Sequence, residues 1–172
     1  SQVGLNLTFS MLLRPTFLPV AEQFYLSKTI ALAITDWLKA YVENKPVKIK
    51  WPNDIYIGNS KICGILIENS FSGQNLETSV VGIGVNLNQI NFPDDLPNPT
   101  SLLLETGKKV TPKDALPEVI SCIGARYLQL VEGNRVAIDN DYLNAIYRKD
   151  QLCKYYSNGE EFEATITGIQ PT

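Results

Sequence analysis

The sequence predicts an α+β fold in which one sheet is packed by long helices and followed by a small β module. Three patterns predict it: strand-period alternation near the start, helix-period apolar spacing after it, and a return to alternation near the end. With 172 residues and 44% hydrophobic content, the chain has the material for one ordinary domain and the beginning of a second.

Taken in order, Leu5, Leu7, Phe9, Met11 and Leu13 occupy alternate positions, the period of a half-buried strand that Arg14-Pro15 closes. Beyond Pro19, the apolar residues Val20, Phe24, Ile30, Ile34, Trp37, Leu38 and Tyr41 recur at helical spacing. Pro19 suits a first-turn position and Asn44-Lys45-Pro46 stops the run, so a long helix packed on the sheet is expected. Three more strands are expected at residues 47–51, 61–68 and 79–88, neighbours in one sheet, the second entered through Gly58-Asn59-Ser60. A loop with Pro93, Pro97 and Pro99 comes next. Thr111-Pro112-Lys113-Asp114 then offers an N-cap, a first-turn proline and a carboxylate facing the free N–H groups of a second long helix, which runs to about Glu132. A third helical segment is expected at residues 138–148. Tyr155-Tyr156-Ser157-Asn158-Gly159-Glu160 reads as a hairpin turn, followed by alternating Phe162, Ala164 and Ile166, where the β module begins.

Composition removes several classes of function. Net charge is −3 and the 15 basic residues are scattered, so no nucleic-acid contact is expected from this segment. No apolar run approaches the roughly 20 residues of a membrane span, and no basic-then-apolar leader opens the sequence, which predicts a cytoplasmic protein without a membrane partner. Cys63, Cys122 and Cys153 form no C-x-x-C pair and suit reduced thiols rather than disulfides or zinc. The chain has no histidine, which excludes Ser-His-Asp, Cys-His and histidine-metal chemistry within these residues. Catalysis here must rely on lysine, carboxylates, amides and backbone groups.

Two constellations carry chemical information. In residues 79–88, Val81, Ile83, Val85 and Leu87 share one strand face while Gly82, Gly84 and Asn86 share the other. Glycines weaken a strand, so two on one side mean that a ligand or another backbone lies close, and a closely packed helix accounts for them equally well. The third glycine and following helix of a dinucleotide fingerprint are absent, as is the P-loop pattern. The second constellation is Lys50-Trp51-Pro52-Asn53-Asp54 with Lys61 and Gly64, which gathers two ammonium groups, an amide and a carboxylate around a turn between strands. Such a set suits phosphate and carboxylate chemistry; proline shapes the turn, and Lys61 can project a strong charge into a partly dry site. Simpler readings stand beside these. Lys50, with Lys48 on the same face, reads equally as a solvated edge lysine, and an Asn-Asp pair beside proline is most often only a turn. Trp51 reads as core or pocket wall, and Glu68 and Glu77 as solvent-facing.

Taken together, Lys50-Trp51-Pro52-Asn53-Asp54-Ile55-Tyr56-Ile57, Lys61-Ile62-Cys63-Gly64-Ile65-Leu66-Ile67-Glu68 and Gly82-Ile83-Gly84-Val85-Asn86-Leu87-Asn88 closely resemble the central block of biotin protein ligases. The resemblance extends from Asn6-Leu7-Thr8-Phe9-Ser10 through Thr100-Ser101-Leu102 to the terminal β module, nearly the whole chain. It implies a catalytic domain at residues 1–150 with the mixed sheet and packed helices of class II aminoacyl-tRNA synthetases and lipoate ligases. Residues 151–172 would begin a small SH3-like β-barrel.

The implied reaction has two steps, ATP-dependent formation of biotinyl-5′-AMP and transfer of biotin to a lysine of a carrier domain such as that of acetyl-CoA carboxylase. By resemblance, Lys61 is the cation that bridges biotin's carboxylate and the α-phosphate, and Asp54 handles the incoming lysine amine. Gly64, Gly82 and Gly84, with Lys61, make room for and bind biotin, while Lys50, Asn53 and Asn86 contact the nucleotide and Asn53 falls near Mg2+. ATP and Mg2+ are the implied co-substrate and ion, no bound redox cofactor is implied, and partners would be biotin, the carrier domain and a second copy in a homodimer. The family also carries a Gly-Arg-Gly-x-x-Gly-Arg loop and a Ser-Thr-Asn element upstream of this strand, so the sequence reads as a piece lacking that N-terminal part. Two alternatives accompany this reading: a lipoate or octanoate ligase-like acyltransferase, and a noncatalytic module for dimerisation or carrier binding.

Overall fold

The computed structural model describes residues 4–157 and 159–169. The opening alternation forms β1 (Leu7–Leu13), with Leu7, Phe9, Met11 and Leu13 turned toward the core. Pro19 caps a short 3-10 turn, Val20–Glu22, so the long helix α1 (Phe24–Lys39) starts one turn later than the apolar spacing suggests. Burial in α1 extends almost all round from Leu26 to Leu38, because it lies between the sheet on one side and two later helices on the other.

Four further strands complete the main sheet: β2 (Val47–Lys50), β3 (Asp54–Ile57), β4 (Ser60–Ser72) and β5 (Asn75–Val85). Their order is β1-β5-β4-β3-β2, and every neighbouring pair is antiparallel. The sheet is therefore antiparallel rather than mixed as expected; among the described residues parallel pairing is confined to the isolated bridges Ile49 with Ile146, Lys61 with Pro99 and Lys149 with Ile166. The expected strand at residues 47–51 ends at Lys50, and the chain reverses through a cis Trp51–Pro52 peptide into β3. At four residues, β3 is too short to announce itself by alternation. β4 and β5 form a long hairpin closed at Gly73, whose φ of 61° suits glycine. Pairing with β3 ends at Gly64, so the edge of β4 over residues 66–72 has no strand beside it among the described residues.

A short helix, α2 (Leu102–Thr106), appears where no helix was expected; Ser101 Oγ accepts from Leu104 N at 3.3 Å and Gly107, at φ 71°, ends it. In α3 (Pro112–Val131) the expected cap forms, with Thr111 Oγ1 accepting from Asp114 N at 3.2 Å and Pro112 in the first turn. α4 (Arg135–Ala145) both starts and ends about three residues ahead of the expected 138–148. It stops because Tyr147 N donates to Ile49 O at 2.8 Å, which draws the chain alongside β2. The chain then passes into a separate two-stranded hairpin, β6 (Leu152–Ser157) and β7 (Glu160–Thr165), in which Tyr155 faces Phe162. Asn158, in the expected turn, lies outside the described residues, as do Ser1 and Thr172.

The core forms where Val81, Ile83 and Val85 of β5, Cys63 and Ile65 of β4, and Ile55 and Ile57 of β3 meet α1. Among the described residues the opposite face of the sheet is left open, with Leu12 59% and Leu66 61% exposed. The residues singled out in the sequence as a candidate site gather on that face.

Candidate functional site

Strand register gathers residues that are distant in sequence. Lys50 faces Asp54, Asp54 faces Gly64, Gly64 faces Gly84 and Gly84 faces Thr8, one row across all five strands on the bare side of the sheet. At the Lys50 end of this row a cavity of about 310 Å3 is lined by Lys50, Asp54, Tyr56, Lys61, Gly64, Gly84 and Asn86, with Leu96, Pro97 and Pro99 across from them. Of the residues singled out in the sequence, Asn53 and Gly82 do not line it.

Lys61 Nζ lies 2.6 Å from Asp54 Oδ1, an ion pair across β3 and β4 with the lysine about two-fifths exposed. Both ends are partly solvated, so the pair adds little stability and can exchange partners. The Lys61 backbone is held on both sides, its N–H donating to Asn98 O and its carbonyl accepting from Thr100 N, each at 2.8 Å. These bonds seat the proline loop beside the cavity. Asn86 secures the same segment: its Nδ2 donates to Thr100 O at 2.9 Å and its carbonyl accepts from Leu102 N at 3.0 Å. Lys50 Nζ donates to the Tyr56 hydroxyl at 3.3 Å and stands 5.2 Å from the centre of that ring.

The glycines now have a physical account. A Cβ built on Gly84 would meet nothing within 4 Å, so no packed helix requires the glycine there. A Cβ on Gly64 would stand 3.8 Å from Asp54 Oδ1 and from Lys61 Cε and Nζ, an ordinary contact that the fold tolerates. Neither position has the left-handed backbone that demands glycine. Close packing therefore fails as the explanation, and what remains is floor kept clear beside a charged pair. Gly82 shares this face one step along, opposite Leu66 and Ser10.

Asn53 does something else. Its Nδ2 donates to Ile65 O at 2.9 Å while its carbonyl accepts from Ile65 N at 2.9 Å, which fastens the turn to β4. It lines a neighbouring apolar cleft with Trp51, Pro52, Phe24 and Leu66. Cys63 points into the core, and burial, reinforced by the Asp54 charge, pushes its thiol up so that it stays neutral. Among the described residues no cluster of three or more carboxylates or cysteines could cage a metal. Among the described residues Asp54 is the one carboxylate on the cavity wall, a donor set that would suit a divalent ion carried on a ligand's phosphates rather than one held in a protein cage. In the sequence Tyr56 stood only within the family motif and Pro97 and Pro99 only in a loop, and neither they nor Leu96 were expected at the site. Tyr56 was findable, since it stands two residues after Asp54 on the same strand face.

Together, the site offers two ammonium groups and a carboxylate at the edge of a flat, uncluttered sheet surface. It is suited to holding an acid and a phosphate ester side by side against their mutual repulsion. A family model described as the Biotin/lipoate A/B protein ligase family matches residues 1–86, half of the chain, and the chain belongs to that family. Among curated proteins it is 32% identical over 130 residues to the Bacillus subtilis bifunctional ligase/repressor BirA, covering 74% of this chain and 39% of that protein. It is 37% identical over 118 residues to the biotin–[acetyl-CoA-carboxylase] ligase of Paracoccus denitrificans, covering 64% of this chain and 48% of that protein. The chain thus spans less than half the length of these relatives. Among solved structures, the biotin protein ligase of Aquifex aeolicus superposes with a TM-score of 0.80 at 26% identity, over 97% of this chain and 72% of that one. The same enzyme in complex with biotin and ATP superposes with a TM-score of 0.79 at 26% identity, over 97% of this chain and 68% of that one.

Proposed function

We propose that the chain forms part of a biotin protein ligase, which activates biotin with ATP and passes it to a lysine of a carrier domain. The observation that carries this reading is the clear Gly64–Gly84 floor beside the Lys61–Asp54 pair. The floor leaves room for a compact ring system such as biotin's fused bicycle, and the pair lies where that ligand's acid group would meet a phosphate. Relatives named for biotin ligation, and a neighbour solved with biotin and ATP, support the choice of acid.

In the first step a biotin carboxylate oxygen attacks the α-phosphorus of ATP, an O–P bond forms, the bond to the β-phosphate bridge breaks, and pyrophosphate leaves. Lys61 leaves Asp54 to bridge the carboxylate and the nonbridging phosphoryl oxygens, where its charge counts most as negative charge grows. Lys50 faces the phosphates from the neighbouring wall. When bound on the nucleotide's phosphates, Mg2+ would supply neutralisation of the charge that develops on the leaving pyrophosphate. In the second step the carrier's lysine amine attacks the acyl carbon, the bond to AMP breaks, and Asp54, freed of Lys61, accepts the amine's proton. Gly82 extends the floor under the biotin ring, Asn86 sets the nucleotide wall by holding the 100–102 segment, and Asn53 serves by holding the turn that carries Asp54.

Residues 1–150 are proposed as the catalytic domain and 151–172 as the start of the SH3-like one, in a cytoplasmic enzyme. A homodimer is proposed through the edge of β4 over residues 66–72, which has no strand beside it among the described residues and can add one from a second copy; sedimentation equilibrium checks it. The proposal as a whole is tested by biotin-dependent ATP–pyrophosphate exchange followed by label transfer to a carrier domain. Exchange driven by biotin and not by lipoate is expected; exchange driven by lipoate alone overturns the choice of acid, and none with either acid overturns the activity.

A further inference from the structure

Tyr56 has no part in the two steps above, yet it lines the cavity while only 6% exposed, and its hydroxyl contacts the Lys50 ammonium there. It sits where β3 and β4 slip register, between Ile55 and Tyr56, which brings Tyr56 opposite Lys61. From behind, the Tyr147 ring packs against it at 5.1 Å between centroids and 33° between planes. Tyr147 is itself fixed, its N–H on Ile49 O at 2.8 Å and its hydroxyl on Asn59 Oδ1 at 2.7 Å. Lys50 contrasts with this rigidity. It is the last residue of β2, exposed, with a long flexible stem that samples many rotamers unless something holds the ammonium. The Tyr56 hydroxyl at 3.3 Å and the ring face at 5.2 Å are the contacts that hold it at the cavity.

We infer that Tyr56 is a positioning residue: buttressed by Tyr147, it fixes the Lys50 ammonium toward the phosphates of a nucleotide bound in the cavity. This rests on the ligase reading for the nucleotide's identity, though not for the Tyr56–Lys50 coupling itself. A preplaced cation contributes to binding before and during reaction alike, so its loss appears in nucleotide affinity rather than in turnover.

The test is a double-mutant cycle of Tyr56→Phe and Lys50→Ala in the full-length protein, reading the Kd for MgATP and for biotin by calorimetry and KM and kcat by pyrophosphate exchange. Tyr56→Phe keeps the ring, its packing on Tyr147 and the fold, and removes only the hydroxyl. Expected is a rise of about threefold to tenfold in Kd and KM for ATP, with kcat and the biotin Kd changed by less than about twofold. In the Lys50→Ala background Tyr56→Phe is expected to add nothing. An equal effect with and without Lys50, an equal loss of biotin affinity, or no change in ATP affinity overturns the assignment. If the parent protein binds MgATP but shows no biotin-dependent exchange, the ligase reading fails while the cycle still decides the coupling. If it binds no MgATP, both fall.

Discussion

At the scale of single residues, the Lys61–Asp54 pair and the clear glycine floor make opposite demands on substitution. Lys61→Ala removes a partly exposed cation whose partner is also partly solvated, so the fold should hold. Adenylate formation should drop roughly a hundredfold to a thousandfold, the usual loss of one transition-state charge contact, and near-normal pyrophosphate exchange by the folded variant would refute the role. Gly84→Val tests the floor. A Cβ at Gly84 has open space, and a β-branched residue suits a strand, so stability should be unchanged or up to about 1 kcal/mol higher by urea denaturation. Biotin affinity should fall about tenfold or more, since the side chain fills the ligand's place. A variant that loses stability and binding together would mean the glycine serves packing after all.

Elements are held together by contacts that the site never touches. α1 and α4 are joined by Lys28, whose Nζ lies 2.5 Å from Asp139 Oδ1 and faces the rings of Tyr25 at 4.5 Å and Phe24 at 5.2 Å. Tyr25 adds its hydroxyl to the same carboxylate at 2.7 Å. Asp139→Ala leaves a buried ammonium without its counter-ion, and a loss of about 2 kcal/mol is expected by urea denaturation. Lys28→Met with Asp139→Leu removes both charges, and should recover most of that loss. α1 is the sheet's main support, so the single variant should weaken the frame while leaving the local geometry of the Lys61–Asp54 pair intact. A pyrophosphate-exchange KM for biotin within about twofold of the parent checks that separation.

Over the whole molecule, three tyrosines tie stability to alkaline pH. Burial first, then hydrogen bonding to Asp139 for Tyr25 and to Glu118 for Tyr41, pushes both up to about 12, and burial alone does so for Tyr142. The unfolded chain loses these protons near pH 10, before the folded chain does. Their stabilising effect is therefore complete below about pH 10 and is lost as pH rises from there to about 12. Absorbance at 295 nm should show a late group of tyrosines ionising together with loss of structure in that window. Titration of all eight near pH 10 in the folded protein would contradict it.

The long periodic elements were readable in the chain itself: β1 from its alternation, α1 from its apolar spacing, and the α3 cap from Thr111-Pro112. So were the two faces of β5 and the residue types of the site, because strand period and the chemistry of lysine, aspartate and glycine are local properties. Short or contact-dependent elements were not readable. β3 exists because it pairs on both sides, α2 because Ser101 and Gly107 bound a single turn and a half, and the end of α4 because β2 captures Tyr147. Register, a long-range property, decided that Lys50, Asp54, Gly64, Gly84 and Thr8 form one row. A Cβ at Gly84 would meet nothing within 4 Å, which removes the packed helix as the reason for that glycine. Sequence alone determined which chemistry the chain can offer; the tertiary structure decided which of those groups meet, because hydrogen-bonded pairing between distant segments is set by the whole sheet and not by any one strand.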